Sequence, residues 1–189
     1  MKKVLSITIM LLMTMTISAQ EYSLTNGAYD NKVVGQYEGV EAGVLYVRAL
    51  EALSDWAGSQ SQSKVNIDVQ DKEQGLVVYK GLLYVGFHKV NFMAGWDVYA
   101  DFTLKIKCKD GRAQVSCHVP SATFDWTAKQ YPATTTAPLG EIYPQYNHKS
   151  KYKLKKASIE WAPKIPPLFD GIIKSLAEKM KAQNQDDDF

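Results

Sequence analysis

Cysteine is scarce in this chain of 189 residues, which holds two, Cys108 and Cys117. One disulfide at most is available. Histidine is nearly as rare, with His88, His118 and His148 alone, and no His/Asp/Glu pair stands at metal-ligand spacing. No serine sits in a nucleophile-elbow motif, and no glycine-rich phosphate loop follows a strand pattern. These absences remove the strong signals of metal, triad and nucleotide chemistry. No catalytic residue, metal or cofactor is expected. An excess of charge is also missing: 22 Lys and Arg face 20 Asp and Glu. Nothing therefore pulls the whole molecule toward nucleic acid or anionic membrane.

Long apolar runs are confined to the start. Met1-Lys2-Lys3 is a short positive region, Val4 to Ile17 is apolar, and Ser18-Ala19 supplies small residues before Gln20. This pattern predicts a secretory signal peptide over residues 1–19. No cysteine follows the apolar run, so a lipoprotein anchor is not expected. Export is the localisation implied, with no membrane-spanning segment after cleavage. Without Lys2 and Lys3 the chain is formally neutral.

The clearest pattern present runs from Trp96 to Asp125. Trp96, Val98, Ala100, Phe102, Leu104, Ile106 and Cys108 alternate with Asp97, Tyr99, Asp101, Thr103, Lys105, Lys107 and Lys109. A period of two sends one set to a core and the other to water. Ala113, Val115, Cys117 and Val119 alternate in the same way. A turn at Asp110-Gly111 would pair Cys108 with Ala113, Ile106 with Val115, Leu104 with Cys117 and Phe102 with Val119. That register places the two cysteines four rungs apart, at about 3.4 Å per residue, which is roughly twice the reach of a disulfide. Two free, buried thiols are expected.

Taken in order, residues 20–32 read as a loose polar arm and 33–38 as a first strand. Leu45, Ala49, Ala52, Leu53 and Trp56 recur at helical spacing, predicting a helix from Val40 to Ala57 closed by a left-handed Gly58. Val65, Ile67 and Val69 mark a second strand, and Leu76 to His88 a third that is apolar on both parities, as a central strand is. Residues 126–165 hold Pro132, Pro138, Pro144 and Pro163 and the run Thr134-Thr135-Thr136. They read as a long connector, with Tyr152 to Trp161 as an edge strand inside it. Pro166-Pro167 opens a last helix with Leu168, Ile172, Leu176 and Met180 facing the core and Asp170 placed to suit the helix dipole. An acidic tail, 184–189, follows. The fold class expected is α+β, a two-layer domain over 33–183 in the order β-α-β-β-β-β-α, with both helices on one face of a curved antiparallel sheet.

The helix ending Ala52-Leu53-Ser54-Asp55-Trp56, the segment Asp71-Lys72-Glu73-Gln74-Gly75-Leu76-Val77-Val78-Tyr79-Lys80-Gly81 and the Lys109-Asp110-Gly111-Arg112 turn carry a resemblance. With the signal peptide, the chain resembles a family of secreted domains of unknown function with a TATA-binding-protein-like fold from Gram-negative gut anaerobes. The resemblance implies the same element order and an exported location, the periplasm or cell surface of a Gram-negative bacterium. It implies no reaction and no site residues.

Two surfaces are candidates for binding. The polar side of the sheet gathers Tyr99, Lys105, Lys107, Arg112, Gln114 and His118, a basic and partly aromatic face for an anionic polymer or peptide. The connector carries Tyr143, Tyr146, His148, Lys149, Lys151, Tyr152, Lys153, Lys155 and Lys156, whose tyrosines offer rigid contact area and whose lysines offer steering. The expectation is a non-catalytic binding or assembly module whose partner is an unidentified envelope protein or anionic polymer, with nucleic acid disfavoured. The alternative is a hydrolase of an envelope polymer or glycan built on His118 with Asp97 or Asp101.

Overall fold

The computed structural model describes residues 22, 24–92, 94–128, 133–142 and 155–182. Its centre is the ribbon of β4 (Gly95–Lys109) and β5 (Arg112–Trp126). The turn at Asp110-Gly111 sets Lys109 opposite Arg112, and the rungs Cys108–Ala113, Ile106–Val115 and Leu104–Cys117 form as the alternation predicts. The fourth expected rung, Phe102–Val119, does not. The ladder steps from Thr103–His118 to Asp101–Ser121, so β5 carries one extra residue there. Pro120 lies in that step. Proline has no N–H to give a ladder, and a bulge is where a central strand tolerates it. The slip reverses the buried parity of β5: Ala113, Val115, Cys117 and Val119 are buried before it, Ala122 and Phe124 after it.

Among the described residues four more strands, β1 (Tyr29–Gln36), β2 (Lys64–Asp71), β3 (Leu76–Lys89) and β6 (Thr134–Pro138), join them in a six-stranded antiparallel sheet. The order is β1-β5-β4-β3-β2, and β6 continues along β5 beyond the end of β1. Two glycines in the Asp71–Gly81 segment have backbone reasons. Gly75 has φ +60°, and a Cβ there would stand 2.6 Å from the Cys108 carbonyl oxygen. At Gly81 a Cβ would stand 1.9 Å from the Lys64 carbonyl oxygen of the neighbouring β2.

The helices are α1 (Ala42–Gly58), the short α2 (Leu139–Ile142), α3 (Lys155–Trp161) and α4 (Ile165–Ala182), the last entered through a 3₁₀ turn at Ala162–Lys164. α1 packs over β3 and β4 and α4 over β1 and β5, giving the α+β two-layer architecture with the core between helices and sheet. Each apolar side chain fully buried there contributes about 1.5–3 kcal/mol before chain entropy offsets it. The hairpin turn also organises the start of α1. Its Glu41 N-cap makes no side-chain bond, and the Asp110 carboxylate instead accepts the Ala42 N–H at 2.8 Å. Gly111 N–H donates to the Val40 carbonyl at 2.9 Å, and its own carbonyl accepts the Tyr37 N–H at 2.8 Å.

Several expectations are corrected. β1 begins at Tyr29 and not at Val33, because its inward positions are filled by Tyr29 and Asn31, which a search for aliphatic residues passes over. The N-terminal arm is therefore partly strand. Gly58 is the last residue of α1 and has no left-handed backbone; Ser59 closes the helix, its hydroxyl donating to the Trp56 carbonyl at 2.6 Å. The connector is structured in part: the threonine run is β6, whose Ala137 is fully buried, and α2 follows. Lys155–Trp161 is helix and not edge strand, with the small Ala157 and Ser158 turned to the core. On α4, Leu168 faces outward and Phe169, Ile172, Ile173, Leu176 and Ala177 face inward. The helix is rotated to bury the larger Phe169, whose ring lies 5.6 Å from that of Phe102.

Candidate ligand-binding face

Strand pairing fixes what the face without helices presents. Successive rungs across β1, β5, β4 and β3 read Val34–Gln114–Lys107–Leu76, Lys32–Ser116–Lys105–Val78 and Asp30–His118–Thr103–Lys80. Nearer the turn stand Arg112 and Lys109. Lys32, Lys105, Lys107, Lys109 and Arg112 are all exposed, and none forms an ion pair among the described residues. Two adjoining shallow basins open between them. One is lined by Val34, Lys107, Lys109, Arg112 and Gln114, the other by Asp30, Lys32, Thr103, Lys105, Ser116 and His118.

His118 Nδ1 lies 2.8 Å from an Asp30 carboxylate oxygen, and both side chains are about half exposed, at 50% and 45%. The carboxylate that reaches the histidine is thus Asp30, on β1, and not Asp97 or Asp101. The neighbouring Ser116 hydroxyl donates to the Lys105 carbonyl at 3.2 Å. A histidine held by a carboxylate can move a proton, but here it lines a shallow, open basin, with no nucleophile bonded to it among the described residues.

Beyond the bulge the same face changes character. Asp97 pairs with Asp125, Tyr99 with Thr123, and Asp101 with Ser121. Asp101 accepts hydrogen bonds from the Ser121 hydroxyl and, at 3.3 Å, from Thr123. Thr123 also meets Thr136 of β6 at 2.9 Å. Tyr84 and Tyr99 stack edge to face at 5.5 Å. Burial, then the Asp97 charge, pushes both hydroxyl pKa values up from their ordinary value.

Of the six expected face residues, Lys105, Lys107, Arg112, Gln114 and His118 gather around the basins, and Tyr99 stands apart at the acidic end. A strand that starts at Val33 leaves Asp30 and Lys32 off this face, and Val34, though inside it, has no place there until β1 is paired with β5. Lys109 was legible, since it continues the alternation of Lys105 and Lys107. In the connector, Tyr143, Tyr146, His148, Lys149, Lys151, Tyr152 and Lys153 lie outside the described residues. Lys155 begins α3 and Lys156 is exposed beside it.

Beneath the face, Asp170 of α4 is buried rather than displayed to its helix dipole. It accepts hydrogen bonds from the Tyr29 hydroxyl and, at 2.6 Å, from the Asn31 amide. Burial first, then this bond, pushes the Tyr29 pKa far up. This network fixes β1, and with it Asp30 and Lys32, against α4. Both cysteines are buried free thiols. Burial pushes Cys108 up to about 11 and Cys117 up to about 12.

An antiparallel sheet with helices on one face and an open charged face on the other defines the class of protein. Residues 31–121 match the model of a domain of unknown function, DUF4468, with TBP-like fold. The chain carries a DUF4468 domain. Two solved structures share the architecture. A DUF4468 family protein from Bacteroides ovatus ATCC 8483 aligns with TM-score 0.58 at 14% identity, over 87% of this chain and 91% of its own. A TBP-like protein from Parabacteroides distasonis ATCC 8503 aligns with TM-score 0.56 at 11% identity, over 82% of this chain and 96% of its own. At such identities the likeness concerns the fold alone. No curated protein matches the chain. Among the described residues no helix is long and apolar enough to cross a membrane.

Proposed function

We propose that this is an exported, non-catalytic binding or assembly module of the periplasm or cell surface, using its open sheet face to hold an anionic polymer or an acidic segment of an envelope protein. The observation that carries the reading is the basic half of the face. Five exposed cations without partners among the described residues surround two shallow basins. Surface cations that are not paired internally remain available to an anion, and their attraction falls with salt. The Tyr/Lys connector adds a second contact of the same sign from residues 143–156.

The test is binding of fluorescent poly-L-glutamate to the mature chain at low ionic strength. Changing Lys105, Lys107 and Lys109 together to Ser is expected to weaken it by about tenfold or more, with the circular dichroism unchanged. Equal binding by both proteins would remove the face. A pull-down from envelope extract with Lys149, Lys151, Lys153, Lys155 and Lys156 changed to Ser tests the connector in the same way.

The His118–Asp30 contact favours a second reading, hydrolysis of an envelope polymer or glycan. The two readings separate on His118→Ala. A hydrolase would lose turnover of an envelope glycan, while a binding module would show none in either form.

A further inference from the structure

The sheet has an edge that its own helices leave uncovered. On β3, Tyr79 is 3% exposed and its hydroxyl meets Ser54 of α1 at 3.4 Å. One strand outward, its rung partner Ile67 on the same side is 48% exposed. The helix layer thus stops at β3. Among the described residues no strand lies beyond β2, so its outer N–H and C=O groups are unpaired over eight residues. The opposite edge differs, since α4 covers β1. Proteins blunt such edges with proline, rows of lysine or a bulge, and of these β2 has the bulge alone. β2, Lys64-Val65-Asn66-Ile67-Asp68-Val69-Gln70-Asp71, has no proline and one lysine.

We propose that β2 is the interface for a second copy of this chain, the two strands pairing antiparallel about a two-fold axis to make one continuous sheet. The strand's own irregularity selects the register. Lys64 and Asn66 pair with Leu82 and Lys80, on the face without helices. Val65 and Ile67 pair with Gly81 and Tyr79, on the helix side. A bulge between Ile67 and Val69 then moves Val69 and Asp71 to the face without helices, opposite Val78 and Leu76, and Gln70 to the helix side. Directly opposed residues of an antiparallel pair must share a face. With the bulge, the one register that overlaps all eight residues and keeps faces matched sets Lys64 against the second copy's Asp71 and Asn66 against the second copy's Val69. Each interface then holds two Lys–Asp pairs, one at either end. The half-exposed Ile67 side chains close together near the axis. Asp68 is already held by Lys80 at 2.8 Å. Asp71 spends one oxygen on the Gln74 N–H at 2.9 Å and keeps the other for a lysine. The charge order of the strand is therefore complementary to itself when reversed.

The experiment is sedimentation equilibrium of the mature chain up to about 200 μM, with circular dichroism to confirm folding. A dimer is expected. Lys64→Asp and Asp71→Lys should each weaken it by about tenfold or more, because each sets like charges opposite one another. The double variant Lys64→Asp/Asp71→Lys restores the pairs and should restore the dimer. Ile67→Lys, folded by circular dichroism, should be monomeric. A monomeric wild type, including one that binds an extended peptide along β2, overturns the proposal. So does a dimer insensitive to Lys64→Asp and Ile67→Lys, or a double variant that stays monomeric.

Discussion

The bulge at Pro120 divides the β4–β5 ribbon into two halves that share strands and little else. In the half nearer the turn, odd residues of β5 are buried and the open face carries Lys32, Lys105, Lys107, Lys109 and Arg112. In the half beyond it, even residues are buried and the open face carries Asp97, Asp101 and Asp125. A single inserted residue thus coincides with a reversal both of side-chain phase and of surface charge. The small net charge of the chain, +2, conceals the polarity, because charges of opposite sign at the two ends offset one another in any sum over the molecule. A site for an anion can therefore exist on a protein whose overall charge argues for none.

The far half is the more sensitive of the two to truncation of a buried side chain. Phe124 is fully buried solely because the phase has slipped. Phe124→Ala is expected to cost about 3–5 kcal/mol in denaturant unfolding. Lys105→Ala, in the near half and on the opposite side of the sheet, should stay within about 0.5 kcal/mol. Equal effects would mean that Phe124 does not enter the core.

A second contrast is with base. Tyr37 near the turn is pushed up to about 12, chiefly by burial, and Cys108 beside it to about 11. Folded values raised above the unfolded ones mean stability that is whole below the unfolded pKa and lost as pH rises through the folded one. The denaturation midpoint should therefore be steady from neutral pH to about 9 and fall between about 9 and 12. Both thiols should resist alkylation in the folded state at pH 8 and react on unfolding. Rapid labelling of the native protein would contradict their burial.

The smallest effect sharpens the charge polarity. Asp97 and Asp125 stand directly opposite one another, an arrangement that is destabilising. Asp97→Asn is expected to raise stability by about 0.2–1 kcal/mol, less so in high salt. A thermal midpoint unchanged or lowered at low salt would show that the acidic half is not under mutual repulsion.

How far the sequence could be read differs by half in the same way. Near the turn, three rungs of alternating aliphatic residues specify the pairing, and five of the six face residues follow from it. Beyond His118 the same counting fails, because Pro120 removes a donor and the ladder slips by one. The start of β1 is hidden for a related reason: Tyr29 and Asn31 are inward, but their polar ends are satisfied by Asp170, 139 or more positions away along the chain. Nothing local indicates that partner. The threonines of β6 likewise became a strand because β5 offers an edge there, not through their own periodicity.

The alternation of apolar and polar residues was enough, by itself, to determine an α+β sheet with one greasy side, the turn at Asp110-Gly111 and the burial of both cysteines, because period-two patterning acts over a few residues and needs no distant partner. The tertiary structure alone decided where the ladder slips, which carboxylate reaches His118, and that Lys32 of β1 joins the cations of β4 and β5. Those outcomes depend on which strand lies beside which, and strand neighbours are chosen by packing across the whole sheet.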